Sequence, residues 1–208
     1  NGVTSRSIKL DDCGLSIAGL SDSDANIVHI SPSHHYPTGI VMPVGRRQEI
    51  LRWAGERDDR FIIEDDYDSE FRFAGRPIPT LQSIDVNQKV IYVNTFSKSI
   101  APSIRIGYMI LPPRLMAKFR TELGFYACTV SSFEQLTLAR FIRLGFYERH
   151  LNRMRKHYRI LRDQIINTIQ KCGVADKITI LEEDAGLHFL LKIRTKDSDL
   201  ELVNQTRS

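Results

Sequence analysis

A lysine and two hydroxyls stand together in the segment Thr95-Phe-Ser-Lys98, directly after an apolar run that predicts a β-strand. A lysine held at a strand end among apolar segments is partly desolvated, which lowers its pKa and favours the neutral amine. A neutral amine can attack an aldehyde to form an imine. With Arg105 seven residues on, Thr95 and Ser97 could bind a phosphate group. A Ser-Lys pair alone is also typical of a surface turn.

An acidic run, Glu64-Asp-Asp-Tyr-Asp68, follows another predicted strand. Four carboxylates in five positions repel one another, so we expect a positive partner nearby, either a divalent cation or a protonated heterocycle. A solvated acidic turn is the remaining interpretation. The cation would suit a phosphotransferase using Asp65, Asp66 and Asp68, but the GxxxxGK phosphate loop of such enzymes does not occur. We therefore assign no metal ligand.

These residue types together fit one cofactor. Pyridoxal phosphate needs an imine-forming lysine, a phosphate-binding group and a carboxylate that keeps its ring nitrogen protonated, because the ring withdraws electrons only in that state. Lys98, Arg105 and the acidic run meet these three needs, and Tyr67 adds a phenol within the run. The residues therefore predict a pyridoxal-phosphate site.

The elements around these clusters indicate an α/β fold. Apolar runs predict four strands, with an amphipathic helix at about 44–56 after the first; they cover residues 27–30, 61–63, 89–93 and 105–111. This order is typical of a mostly parallel, buried sheet with flanking helices. Ligands of such sheets bind beyond the carboxyl ends of the strands, where the polar clusters 31–39, 64–68 and 94–98 lie.

The second half of the chain has a different pattern. Ser131-Ser-Phe-Glu134 is a capping box that predicts a helix to about residue 144. A long amphipathic helix and two strands follow, over residues 147–172, 178–181 and 187–193. We predict a large α/β domain over 1–145 and a smaller α+β domain over 146–208, joined by the long helix.

Composition excludes several classes of protein. Among 208 residues, 29 Lys and Arg against 25 Asp and Glu give a net charge of +4, too small to indicate a nucleic-acid surface. Three widely spaced cysteines exclude a Cys-rich zinc site and favour a reducing compartment. No apolar run approaches the roughly 18 residues of a membrane span. The start lacks both Met and a signal-peptide pattern, so we expect a cytoplasmic protein of which this chain is a piece.

Several motifs resemble one protein family. They are Pro32-Ser-His-His-Tyr-Pro-Thr-Gly39, Glu64-Asp-Asp-Tyr-Asp-Ser-Glu-Phe-Arg72, the block from Asn94 to Tyr108, the His150-Leu-Asn-Arg-Met-Arg155 run, and Ala185-Gly-Leu-His188. The sequence resembles fold-type I pyridoxal-phosphate enzymes, the aspartate aminotransferase superfamily, over about residues 10 to 195. It is most similar to the aminotransferase-like domain of MocR-type regulators within the GntR transcription-factor family.

The resemblance implies roles for individual residues. Lys98 would be the Schiff-base lysine, Asp65 would pair with the pyridine nitrogen, and Tyr67 would hydrogen-bond the ring hydroxyl. The phosphate would be held by Thr95, Ser97 and Arg105.

One turn departs from the enzymes. The Pro37-Thr-Gly39 turn matches their Asn-Pro-Thr-Gly turn, but Tyr36 stands where the enzymes have an asparagine that touches the ring hydroxyl. Tyr36, His34 or His35 could make that contact instead. The family's upstream phosphate-binding loop and its C-terminal substrate arginine do not occur in this sequence, so we expect a central and C-terminal portion of a larger protein.

The favoured function is regulatory. The resemblance implies a homodimeric domain that binds pyridoxal phosphate on Lys98 and senses an amine or amino acid, while a winged-helix domain outside this chain binds DNA. A genuine aminotransferase or lyase of the same fold is the alternative, since both uses need the same cofactor residues. A basic stretch between Arg149 and Arg162 could also bind phosphate backbones, but a solvated face of the long helix explains it better.

Overall fold

The fold was analysed in a computed structural model that describes residues 2–75 and 78–206. A four-stranded sheet lies at its centre, with two small two-stranded sheets beside it. The strands are β1 (Leu10–Asp11), β2 (Gly14–Leu15), β3 (Ile27–Ile30), β4 (Phe61–Asp65), β5 (Val90–Thr95), β6 (Gly107–Ile110), β7 (Ile178–Leu181) and β8 (Leu190–Ile193). The helices are α1 (Ile17–Ser21), α2 (Val44–Gly55), α3 (Leu81–Ile84), α4 (Phe96–Ser99), α5 (Pro113–Leu123), α6 (Ser132–Arg143), α7 (Phe146–Gln170) and α8 (Asp199–Thr206).

The central sheet has the order β3-β4-β5-β6. The first three strands are parallel, and β6 is antiparallel to β5. This arrangement confirms the predicted α/β class with a mostly parallel sheet. All four predicted strands and the helix near residue 50 are present, with ends shifted by one or two residues.

A hydrophobic core lies between the sheet and α2. Four residues of α2 are buried at helical spacing, Arg47, Ile50, Trp53 and Ala54. They pack with strand residues such as Ile62, which is fully buried, and with the α1 residue Leu20. Inward-facing residues alternate along β4, so Ile62 and Glu64 point into the protein while Asp65 comes out at the end of the strand.

The long helix α7 is attached at several points to the segments that follow β4 and β5. The Tyr147 hydroxyl donates to Ser99 Oγ at 3.0 Å, and Arg155 Nε donates to the Glu70 carbonyl at 2.6 Å. Between them, Leu151 is the one buried residue of the helix. The predicted capping box before α6 is present, since Ser131 and Glu134 bond each other's backbone N–H.

Three details of the second half differ from prediction, the first being that helix α8 was not predicted. Helix α5 was not predicted, although Pro113 at its first turn is a common helix start. The last strand begins at Leu190 and not at Leu187, because residues 184–187 instead bond to the loop after β4.

Candidate functional site

The site has two sides, at the carboxyl ends of β5 and β4. We call Thr95, Ser97, Lys98 and Arg105 the lysine side, and residues 64–70 the acid side.

The lysine side begins where β5 ends. Thr95 is the N-cap of α4, and its Oγ1 accepts a hydrogen bond from the Ser97 backbone N–H at 3.2 Å. The Ser97 hydroxyl donates to the Ile104 carbonyl at 2.7 Å, and the hydroxyl oxygens of Thr95 and Ser97 are 3.1 Å apart. Lys98 is exposed, and its Nζ has no hydrogen-bond or ion-pair partner within residues 2–75 and 78–206. Its amine is therefore accessible to a ligand.

Arg105 belongs to the turn before β6. The Phe96 N–H donates to the Ile106 carbonyl at 2.9 Å, so both neighbours of Arg105 are bonded to the start of α4. Its guanidinium is exposed and makes no hydrogen bond to any residue that the structure describes. The backbone thus brings Arg105 beside the two hydroxyls, while its side chain stays unengaged.

Asp65 is the last residue of β4, and its side chain is 36% exposed. Its carboxylate lies 3.4 Å from Nε2 of His29. Sequence reasoning missed this neighbour. The signal was the parallel register, because His29 is paired with Ile63 and therefore lies on the same face of the sheet as Asp65.

Tyr67 is half-buried, and its hydroxyl donates to the His34 carbonyl at 2.9 Å. Burial raises the pKa of this phenol, and the nearby carboxylates of Asp68 and Asp65 raise it further. The phenol therefore stays protonated at neutral pH. It lies on the loop that also carries Asp65, as the motif predicted.

A hydrogen-bonded network under the site fixes the ends of β4 and β5 to each other. The Tyr92 hydroxyl donates to Asp66 Oδ2 at 2.7 Å, and Asn94 Nδ2 donates to the Tyr92 oxygen at 3.0 Å. Burial, with Asp66 beside it, raises the pKa of Tyr92. Asp66 is only 2% exposed, so this carboxylate is a structural group and not a ligand-facing one.

The three residues proposed to replace the enzyme asparagine have different surroundings. The Nδ1 of His35 is hydrogen-bonded to Thr38 Oγ1 at 2.8 Å. Tyr36 is 70% exposed, and its ring lies edge-on to His188 at 5.7 Å between centroids. His34 is 1% exposed, and its Nδ1 is bonded to Asp68 Oδ2 at 2.8 Å. The backbone carbonyl of His34 thus accepts the Tyr67 hydroxyl, while the His34 ring lies 6.4 Å from the Tyr67 ring between centroids.

His188 is a second residue that sequence reasoning missed. Its ring lies 4.1 Å from the ring of His34. Burial lowers its pKa, with the charge of Lys98 among the smaller contributions, so the imidazole is neutral at pH 7. No metal ligand was predicted, yet His34, Asp68 and His188 each have a ligand-type atom within 4.8 Å of the others. The only signal was the Ala185-Gly-Leu-His188 motif, to which we gave no chemical role.

No helix in the described part of the chain is both long and apolar enough to cross a membrane.

The chain matches the family described as aminotransferase class I and II over residues 5–206. It is 42% identical over 200 residues to the HTH-type transcriptional regulator YdeL of Bacillus subtilis (strain 168), covering 96% of this chain and 43% of the relative. It is 37% identical over 179 residues to the probable rhizopine catabolism regulatory protein MocR of Rhizobium meliloti, covering 86% and 36%. It is also 33% identical to the pyridoxine biosynthesis regulator PdxR of Corynebacterium glutamicum, covering 88% and 39%.

Solved structures agree on the fold. The kynurenine aminotransferase of Pyrococcus horikoshii is similar with a TM-score of 0.79 and 27% identity, covering 96% of this chain and 51% of that protein. The chain thus spans less than half of each of these three regulators and about half of the enzyme. Both comparisons confirm the resemblance found in the motifs. The chain belongs to the class I and II aminotransferase family, and within it to the aminotransferase-like part of MocR-type regulators of the GntR family.

Proposed function

We propose that this chain is the pyridoxal-phosphate-binding, effector-sensing part of a MocR-type transcriptional regulator, with the cofactor attached through Lys98 Nζ. One observation carries the proposal. An exposed lysine, unpaired among the residues that the structure describes, and a partly exposed carboxylate, Asp65, lie at the carboxyl ends of the neighbouring parallel strands β5 and β4. When bound, the cofactor would supply an aldehyde for the lysine and an electron-withdrawing ring.

The residues present fit this group. The Asp65 carboxylate would hold a proton on the ring nitrogen, and the partner of that carboxylate, His29, would orient it. The Tyr67 phenol, protonated at neutral pH, would contact the ring hydroxyl. Of the two residues beside it, Tyr36 is the one with an exposed phenol, while the His34 ring is buried.

The phosphate would be bound by Thr95, Ser97 and Arg105. The two hydroxyls now point to each other and to backbone carbonyls, but a hydroxyl rotates freely to meet a new acceptor. The exposed Arg105 guanidinium would add charge-assisted hydrogen bonds.

The rest of the function extends beyond this chain. We propose that residues 1–145 bind the cofactor, that 146–208 form a smaller domain, and that an amine or amino acid acts as the effector. DNA would be bound by a winged-helix domain of the longer protein, as the names of the regulator relatives suggest. We further propose a cytoplasmic homodimer.

The test is a pyridoxal-phosphate titration of the full-length protein, followed by borohydride reduction and peptide mass mapping. We expect a reduced adduct on Lys98 that disappears in Lys98→Ala. Lys118→Ala, which removes an exposed lysine of α5, is the control and should keep the adduct. An adduct spread over surface lysines, or retained in Lys98→Ala, would contradict the proposal.

A turnover enzyme is the second candidate, since the chain is 27% identical to a solved aminotransferase of the same fold. Multiple-turnover conversion of an amino acid and a keto acid by the full-length protein would establish it. A single, stoichiometric reaction with the amine would favour the regulator.

A further inference from the structure

A buried carboxylate, Asp68, lies behind the proposed cofactor site and joins two distant parts of the sequence. It is 2% exposed and accepts hydrogen bonds from His34 Nδ1 at 2.8 Å and from the Leu187 backbone N–H at 3.3 Å. Two elements separated by more than 150 residues therefore share one acceptor. Because a buried carboxylate needs its donors, it strongly favours the arrangement in which both are present.

The segment 184–188 is fixed against the loop after β4. The Gly186 N–H donates to the Phe71 carbonyl at 2.7 Å, and the Phe73 N–H donates to the Asp184 carbonyl at 2.9 Å. A bridge between Arg72 and Ala185 lies between these two bonds. These contacts determine where the segment meets the His34 ring.

Gly186 is the closest point between this segment and His34. Its φ is +72°, and a Cβ added there would lie 1.9 Å from the imidazole of His34. Atoms cannot approach so closely, so any side chain at position 186 must move the His34 ring or the segment itself. Glycine is required here for both its conformation and its size.

His34 connects this contact to the cofactor loop. Its ring is bonded to Asp68, and its backbone carbonyl accepts the Tyr67 hydroxyl at 2.9 Å. A movement of segment 184–188 would therefore be transmitted through Asp68 and His34 to the direction of the Tyr67 phenol. The chain of contacts is continuous: Gly186, Asp68 and His34 are buried, and Tyr67 at its end is half-buried.

We propose that Asp68 is a positioning residue that couples segment 184–188 to Tyr67. The position of this C-terminal segment would therefore affect how tightly the cofactor is bound. The effect on pyridoxal-phosphate binding rests on the proposed function, whereas the contacts that join segment 184–188 to Tyr67 are present in the protein without cofactor. The ring of His188 packs on the ring of His34, with 4.1 Å between centroids, and so adds a second contact between segment 184–188 and His34.

The test compares two glycine variants of the full-length protein. Gly186→Ala should press on His34, whereas Gly145→Ala has a similar φ of +70° but meets only the flexible end of Arg149 at 3.7 Å. The two glycines have nearly the same positive φ, so a difference in cofactor binding between the variants reports the collision of the added Cβ with His34. We expect Gly186→Ala to weaken pyridoxal-phosphate binding by about tenfold and Gly145→Ala by less than about twofold, where tenfold equals about 1.4 kcal/mol.

Amide hydrogen exchange without cofactor provides a second readout. Gly186→Ala should speed exchange in residues 31–39 and 66–68, which lie far from position 186 in sequence, and Gly145→Ala should not. This readout tests the coupling even if the wild-type protein forms no Lys98 adduct, a result that would refute the proposed function alone. Unchanged exchange in both segments would overturn the coupling.

A double-mutant cycle tests whether Asp68 acts through Tyr67, and remains informative if Gly186→Ala does not fold. Asp68→Asn keeps the size of the side chain but removes its charge. If Asp68 acts through the phenol, Asp68→Asn should weaken pyridoxal-phosphate binding several-fold in the wild-type background and hardly at all in Tyr67→Phe. Equal losses in both backgrounds would show that the two residues act independently and would refute the proposal.

Discussion

The acid side and the lysine side of the site are built in opposite ways. On the acid side, Glu64, Asp66 and Asp68 are at most 2% exposed, and each accepts hydrogen bonds from named donors. On the lysine side, Lys98 and Arg105 are exposed and have no bonding partner among the residues that the structure describes. The two sides lie on adjacent strands, so the difference does not come from their place in the sheet.

The difference follows from the cost of leaving each kind of charged group without a partner when no ligand is bound. A buried carboxylate without a partner is very costly, so the acid side must be completed by the protein itself. The exposed cations stay hydrated and pay no desolvation penalty, so they can remain unpaired until an anionic or aldehyde group binds. The buried carboxylates of the acid side thus stabilise the fold, whereas Lys98 and Arg105 are accessible to a ligand.

The largest loss of stability on the acid side is expected from Glu64→Ala. Glu64 accepts the backbone N–H groups of Leu81 and Gln82 at 2.8 and 2.9 Å, and lies 3.6 Å from the buried Arg47. Its removal takes away the nearest counter-charge of a buried guanidinium and the acceptor of two backbone N–H groups, so we expect a loss of about 3–5 kcal/mol of unfolding free energy. Urea unfolding measures it. Glu49→Ala, which breaks an exposed pair with Arg46, should cost less than about 1 kcal/mol, and equal losses would contradict the comparison.

A smaller effect on stability, one that depends on pH, is expected from Glu70→Gln. Burial raises the pKa of Glu70 from 4.5 to about 7, with Asp66 adding to the rise. The folded protein therefore binds this proton more tightly than the unfolded chain. The resulting stability is fully present below about pH 4.5 and is lost as the pH rises through 7.

Glutamine cannot ionise, so the variant should not show this loss. We expect Glu70→Gln to be more stable than the wild type by about 2 kcal/mol at pH 8, with the difference vanishing near pH 4. Urea unfolding at several pH values checks it. A constant difference at all pH values would mean that the pKa of Glu70 is the same in the folded and the unfolded protein.

The smallest effect is expected on the lysine side. Lys98→Ala and Arg105→Ala should change the free energy of unfolding by less than about 0.5 kcal/mol in the absence of cofactor, because neither side chain is bonded to a described residue. The same urea experiment measures both. A loss above about 1 kcal/mol for either variant would show that the lysine side also supports the fold.

Much of the fold could be predicted from the sequence, because its signals are local. The β-branched runs of β3 and β4, the spacing of Ile50 and Ala54 in α2, and the Ser131 capping box each depend on neighbours within a few residues. Helix α5 was missed although its sequence has a helical pattern, with Leu115, Phe119 and Leu123 four residues apart. The final strand was placed too early because segment 184–187 bonds to a distant loop.

Part of the site could also be predicted, because some of its residues belong to local sequence motifs. Lys98, Asp65 and Tyr67 are found from their motifs and from the rule that polar residues after parallel strands gather at one edge. The assignments of their roles remain proposals. His29 was not found, and Asp68 was considered only as a ligand for a divalent cation, because their importance depends on partners 36 and 34 residues away.

The sequence by itself determined the α/β class, the strands that carry the cofactor-type residues, and the family, since these follow from local patterns and from motif spacing. Only the tertiary structure decided which carboxylates are buried and paired and which one faces out, because burial depends on the alternation along β4 and on what packs against it. It also decided that His34 is held by Asp68 and touched by Gly186, contacts between residues more than 30 and 150 positions apart. Such contacts form only when the chain has folded, because they join elements that no local pattern connects.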